Sequence, residues 1–221
     1  MFVEAYGAAK EFARPVLLSD LKGSWVGCGT FIVLNRSGWI VTAKHNISEA
    51  MEDHCASSVW GWDGVGIDEA IFDDATDMAA GRLDPFDPEW VSEYPLLSDG
   101  IGISIGGSFG RLGYAIEEGD DSASAAPLFN SGIISQIRDG PDMRCIITSS
   151  AGMKGQSGGP LFDSEGYVIG MQTLTRCVPL GYSGANDDGV MKPLMSIEGM
   201  ALHIDSMRRF LDAAGISYRI E

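Results

Sequence analysis

Residues 25–34, WVGCGTFIVL, and 38–43, GWIVTA, are apolar runs parted by Asn35-Arg36-Ser37. Turn residues between β-branched runs predict a hairpin. His45 follows where the second run ends, in WIVTAKHNI, and the polar stretch 46–54 reads as a short turn of helix. Residues 66–83, GIDEAIFDDATDMAAGRL, read as a strand, an acidic turn and a second strand. The proline-containing stretch 84–98, DPFDPEWVSEYPLLS, lacks alternation and reads as a connector between two halves. Beyond it come further strand-like runs: IGISI, RLGYAI, GIISQI, RCIITS and YVIGMQTL. Only the end reads as helical. In HIDSMRRFLDAAGI, Ile204, Met207, Phe210 and Leu211 share one face, and Gly215 supplies a stop. Two β-rich halves and a C-terminal helix result, with no internal repeat.

Composition narrows the function classes. Twenty-nine glycines in 221 residues suit an all-β chain with many turns. A net charge of −16 repels phosphate backbones, and the basic residues are scattered, so nucleic acid is not an expected partner. No apolar run reaches membrane-spanning length, so no membrane association is expected. The opening MFVEAYGAAKEFARPVLL carries Glu4, Lys10, Glu11 and Arg14 and lacks a signal-peptide core. Cys28, Cys55, Cys145 and Cys177 show no framework spacing, which reads as free thiols in a reducing, cytoplasmic setting. Cys28, His54 and Cys55 lack metal-ligand spacing, so the cysteines read as small buried hydrophobes and no metal is expected.

The stretch 155–162, GQSGGPLF, is too small and glycine-rich to pack a core, but it can bring backbone N–H groups against an anion. Ser157 at its centre is a poor nucleophile unless a base removes its proton, and histidine is the usual base. Of the three histidines, His203 lies at a helix start and His54 in a charged stretch, leaving His45 as the leading candidate. A carboxylate must then hold the imidazole tautomer. The plainer alternatives are a turn hydroxyl at Ser157, a strand-end histidine at 45 and a solvated acidic turn at 73–77.

VTAKHNI around His45, ATDMAAGRL around Asp77 and GQSGGPLF around Ser157 resemble, in that order, the trypsin-like (chymotrypsin-fold) serine peptidases. The compact separations, 32 and 80 residues, resemble the bacterial HtrA-like branch. GCGTFIV, NSGIISQI, DSEGYVIGMQT and GMALHIDSMRRFLD resemble further family strands and the closing helix, so the likeness covers residues 20–215. It implies two six-stranded antiparallel β-barrels and a C-terminal α-helix in a single peptidase domain over 1–221. The N-terminal barrel would take about 15–90, the connector about 84–98, the C-terminal barrel about 99–203 and the helix about 204–214. It also implies a serine endopeptidase with Ser157 as nucleophile, His45 as base, Asp77 orienting His45, and no cofactor. The N–H groups of Gly155 and Ser157 would form the oxyanion hole, with Gly155 at positive φ. Gln156 stands where digestive relatives carry an aspartate, so activation by a newly cut N-terminus is not expected.

By the same resemblance, Ala151 and Gly152 begin the specificity pocket. Thr173, Leu174 and Thr175 form the edge that pairs with substrate backbone, and Gly199 and Ala201 the strand behind. With no acid and no base at the floor, a medium apolar side chain is the expected occupant, with Lys154 at the rim the one feature favouring acidic groups. Residues 117–126 and 177–198 read as long loops, either solvated or docking an activating protein partner. By its length, no C-terminal PDZ domain is expected. Rival readings are an esterase on the same machinery, a silent peptide-binding adaptor, and a latent protease whose loops a partner must order.

Overall fold

The computed structural model describes residues 2–20, 25–48, 56–62, 65–116, 125–185 and 191–221. It opens with a helix, α1 (Val3–Phe12), which the sequence reading did not anticipate. Ala5, Ala9 and Phe12 are its buried face, at i, i+4 and i+7. The signal is weak because Gly7 interrupts the helix and Phe2 offers no side-chain cap.

Strands β1 (Ala13–Asp20), β2 (Trp25–Val33), β3 (Trp39–Ala43), β4 (Ala56–Trp62), β5 (Val65–Asp73) and β6 (Met78–Asp84) close a barrel in the order β1-β2-β3-β6-β5-β4. The expected hairpin is β2–β3, where the Asn35 side chain accepts from the N–H of Ser37 (2.9 Å) and so shapes the turn. Phe31, Ile32, Ile40, Val41, Met78 and Ala80 are buried without exposed surface on the two faces of this sheet. Each large apolar side chain buried this way contributes about 1.5–3 kcal/mol. After β6 the chain passes through a 3-10 turn (Pro88–Trp90) and the two-residue strand β7 (Leu96–Leu97).

The second sheet comprises β8 (Ser108–Ile116), β9 (Ala125–Asp139), β10 (Arg144–Thr148), β11 (Pro160–Phe162), β12 (Val168–Ala185) and β13 (Met191–His203), with β7 and β14 (Arg219–Ile220) added beyond β12. Its order runs β11-β8-β9-β10-β13-β12, and pairing of β11 with β12 closes that ring of six. Two six-stranded barrels are therefore present. The C-terminal helix, α2 (Ile204–Ala213), ends at Gly215 with φ +69°, where the N–H of Ile216 returns to the carbonyl of Leu211 (2.9 Å).

Two expected elements differ. IGISI, 101–105, is not a strand: glycines 100, 102 and 106 adopt positive φ, and Ile101 and Ile105 are 84% and 64% exposed. Nor do residues 177–198 form a long loop. The β12–β13 pairing extends outward through Cys177↔Ile197 and Pro179↔Met195 to Ala185↔Met191, making a hairpin whose irregularities absorb the glycines and proline. Most of the expected helical turn at 46–54, His54 and Cys55, and most of the acidic loop 117–126 lie outside the described residues, although Ala125 and Ala126 belong to β9. Cys145 is buried and Cys177 exposed, both as free thiols. Among the described residues no helix is long and apolar enough to cross a membrane.

Candidate active site

Strand β3 delivers the chain into a 3-10 turn, Lys44–Asn46, that carries His45. Asp77 sits at φ +55° immediately before β6, a conformation aspartate tolerates better than most residues. There its carboxylate embraces the histidine. Oδ2 lies 2.7 Å from His45 Nδ1, and Oδ1 accepts the His45 backbone N–H at 3.1 Å. The Asp77 carbonyl accepts from the N–H of Lys44 at 2.8 Å. One bond to the ring and two to the backbone around it hold His45 against the carboxylate, an arrangement that favours the tautomer with its proton on Nδ1.

The turn also reaches the second barrel. Asn46, next to His45, donates from Nδ2 to the carbonyl of Ser157 (2.8 Å) and to Thr42 Oγ1 (2.9 Å). Thr30, wholly buried in β2, donates its N–H to the same Ser157 carbonyl (2.8 Å) and its hydroxyl to the carbonyl of Gly155 (2.7 Å). Thr42 donates to the Thr30 carbonyl at 2.6 Å. These three polar residues of the first barrel hold both ends of the Gly155–Ser157 turn. Sequence reasoning missed them, although a threonine or asparagine interrupting an apolar run was a visible signal.

Glycine is required at 158 because a Cβ would come 2.0 Å from the Thr30 carbonyl and 2.3 Å from Thr42 Oγ1, at φ +83°. Gly155 has φ +91°. Among the described residues, neither its N–H nor that of Ser157 donates to a protein acceptor. The Ser157 hydroxyl donates to the carbonyl of Thr173 at 3.0 Å. Gln156 is wholly buried and braces the turn: its Oε1 accepts from Met153 N–H (2.9 Å) and its Nε2 donates to the Leu128 carbonyl (3.0 Å). A neutral amide can satisfy both partners at once, which an aspartate could not.

The residues expected to line a pocket make the following contacts. The Ala151 carbonyl accepts from Asn130 Nδ2 at 3.0 Å, and the Gly152 carbonyl from Thr175 Oγ1 at 2.7 Å. Thr173 is buried with its hydroxyl on the Met200 carbonyl, whereas Leu174 is exposed. Gly199 pairs with Thr148. Ala201 is buried in the barrel core with Phe109, Ile146 and Leu161.

One basic residue packs against Gly199 of the expected back strand. Arg111, from β8, has no exposed surface, and its Nη2 donates to Thr148 Oγ1 (2.8 Å) and towards the Ser150 carbonyl (3.4 Å). A Cβ on Gly199 would stand 2.7 Å from that nitrogen. Burial lowers the Arg111 pKa to about 10, so the group remains a cation at neutral pH. Sequence reasoning did not single out Arg111, which lies in the strand-like run RLGYAI. Among the described residues no cluster of three or more His, Cys, Asp or Glu could hold a metal.

A family model described as a trypsin-like peptidase domain matches residues 28–171, a span containing His45, Asp77 and Ser157. The chain belongs to that family. No curated protein matches this trypsin-like domain. Among 727 matching solved chains, one is the HtrA-type protease AlgW with a tripeptide, at TM-score 0.66 and 18% identity. The match covers 96% of this chain and 63% of that one. At such identity the likeness speaks for the double-barrel fold alone.

Proposed function

We propose that this trypsin-like domain is a serine endopeptidase that cleaves peptide bonds through Ser157, His45 and Asp77. The observation that carries the reading is one short turn, Lys44–Asn46, bonded to Asp77 on one side and to the Ser157 carbonyl on the other. Ser157 Oγ attacks the carbonyl carbon of the substrate while its proton passes to His45 Nε2. The Asp77 carboxylate stabilises the imidazolium that results and stays ionised. The tetrahedral oxyanion takes the N–H groups of Gly155 and Ser157, each of which contributes about 2.7–4 kcal/mol when held in place.

Collapse of the intermediate breaks the C–N bond, and His45 returns its proton to the leaving amine. Water, deprotonated by His45, then attacks the ester, and the released acid restores the Ser157 hydroxyl. The serine hydroxyl turns from the Thr173 carbonyl to His45 by rotation about its Cα–Cβ bond.

A fluorophosphonate probe and a fluorogenic peptide library test this reading. Wild type should be labelled at Ser157 and should turn over amide substrates, and both signals should vanish in Ser157→Ala and His45→Ala. Folded wild-type protein that neither labels nor cleaves would support the adaptor reading instead. Turnover of esters without amides would support an esterase.

A further inference from the structure

The buried cation behind the pocket bears on what is cleaved, an inference resting on the peptidase reading. Buried arginines ordinarily bring a carboxylate partner, because an uncompensated charge out of water is costly. Among the described residues Arg111 has none. Its guanidinium stacks 5.2 Å over the Phe109 ring and donates from Nη2 to Thr148 Oγ1 and towards the Ser150 carbonyl, while Nε and Nη1 have no hydrogen-bond partner among the described residues. The Ser150 hydroxyl, on the segment leading into Ala151 and Gly152, is likewise buried without a partner.

Their position gives them a use. Nη2 faces Gly199 with no side chain between, since any Cβ there would overlap Nη2, Thr148 Oγ1 (2.3 Å) and the Ser150 carbonyl (2.7 Å). Gly199 belongs to the back strand of the pocket, and Ser150 immediately precedes its wall. Arg111 therefore places a fixed positive charge, itself without exposed surface, directly behind the residues expected to form the pocket, in a chain whose net charge is −16. Lys154, exposed on the turn before Gly155, adds a second cation on the same loop. We propose that Arg111 is the specificity-determining residue of this pocket and that the enzyme cleaves after acidic residues, glutamate or aspartate. The substrate carboxylate supplies the anion that the fold withholds. A neutral occupant leaves the cation uncompensated and is rejected, because a site built around a buried polar group discriminates strongly against analogues that cannot pair with it.

Fluorogenic peptides differing only at the cleaved residue (Glu, Asp, Gln, Leu or Arg) test this on wild type, Arg111→Met and Arg111→Lys. Expected is a kcat/KM at least about 100-fold higher for Glu or Asp than for Gln, with Leu equally poor. Arg111→Met should lose that preference and Arg111→Lys should retain part of it. Fluorophosphonate labelling of all three reports the nucleophile independently of the pocket and shows that the variants are folded. Normal labelling with Leu or Gln cleaved as well as Glu overturns the proposal, as does an acid preference that survives in Arg111→Met. If wild type does not label, the peptidase reading fails, and calorimetric binding to Ser157→Ala decides the pocket separately. A peptide ending in Glu should then bind at least about 10-fold tighter than one ending in Gln, a difference lost with Arg111→Met. Equal affinities overturn it.

Discussion

Replacing Arg111 with methionine should make the folded chain more stable. The guanidinium has no exposed surface, and desolvation lowers its pKa to about 10. Such a lowering corresponds to about 3 kcal/mol against the charged form at neutral pH, at 1.36 kcal/mol per tenfold change in proton affinity. Above pH 10 the unfolded chain keeps the proton that the folded chain has lost, so stability from this group rises with pH there. Below pH 10 the full cost is present. Methionine is of similar length, is uncharged and can pack on Phe109. Thr148 is not orphaned by the change, since its hydroxyl still donates to the Ser150 carbonyl at 2.8 Å.

Allowing for the lost bond to Thr148, the net gain should be about 1–3 kcal/mol, or about 2–4 °C in Tm per kcal/mol for a chain of this size. Equilibrium urea unfolding at pH 7 measures it, with Ser157→Ala as the background of both proteins so that self-cleavage does not contribute. A variant less stable than its parent by about 1 kcal/mol or more would refute the reasoning. The guanidinium would then be a structural strut, and the case for its pairing with substrate would lose its energetic premise.

Other outcomes follow from the same geometry. Asp77→Asn should lower kcat by about 10⁴ with little change in KM, because the amide favours the wrong histidine tautomer; steady-state kinetics on one peptide decide it. Gly158→Ala should destabilise the fold by about 3 kcal/mol or more in thermal unfolding, since its methyl meets backbone at 2.0 Å in a left-handed conformation. His203, wholly buried, caps α2 by accepting the Asp205 N–H (3.1 Å), and desolvation lowers its pKa below 6.5, outweighing the nearby Asp205 carboxylate. The unfolded chain therefore binds more protons below pH 6.5, and stability should fall as pH falls through that point. In His203→Asn, which keeps a capping oxygen, that acid limb should flatten in pH-dependent urea unfolding.

Elements whose identity rests on local pattern were legible in the sequence. The β2–β3 hairpin, the strand–turn–strand of β5 and β6, and α2 with its Gly215 stop each carry their signal within a dozen residues. Features set by contacts between distant segments were not. Residues 177–198 look like a loop because Gly181 and Pro179 are poor strand residues, yet the pairing inherited from Gly170↔His203 carries them outward as a ladder. The direction of Arg111 depends on how β8 closes against β11 and β9, which no local periodicity encodes. At the site, the sequence pointed to Ser157 and His45 by their chemistry and to Asp77 through the family resemblance. The residues that hold them in place, Thr30, Thr42, Asn46 and Gln156, were silent because single polar residues within apolar runs have no fixed meaning until their partners are known.

Those silent residues explain why GQSGGPLF needs its glycines. Gly155 and Gly158 flank a serine whose carbonyl takes two donors from the other barrel, Thr30 N–H and Asn46 Nδ2. Gly158 leaves room for the Thr30 carbonyl, and the Gly155 carbonyl takes the Thr30 hydroxyl. The backbone carrying the nucleophile is therefore shaped by docking of the first barrel as much as by the second barrel's own sheet. The turn that presents His45 is fixed by that same docking through Asn46. Assembly of the barrels and alignment of the reacting groups are consequently one event. The positions of Ser157 and His45 therefore both depend on the barrel interface, through Thr30 on one side and Asn46 on the other.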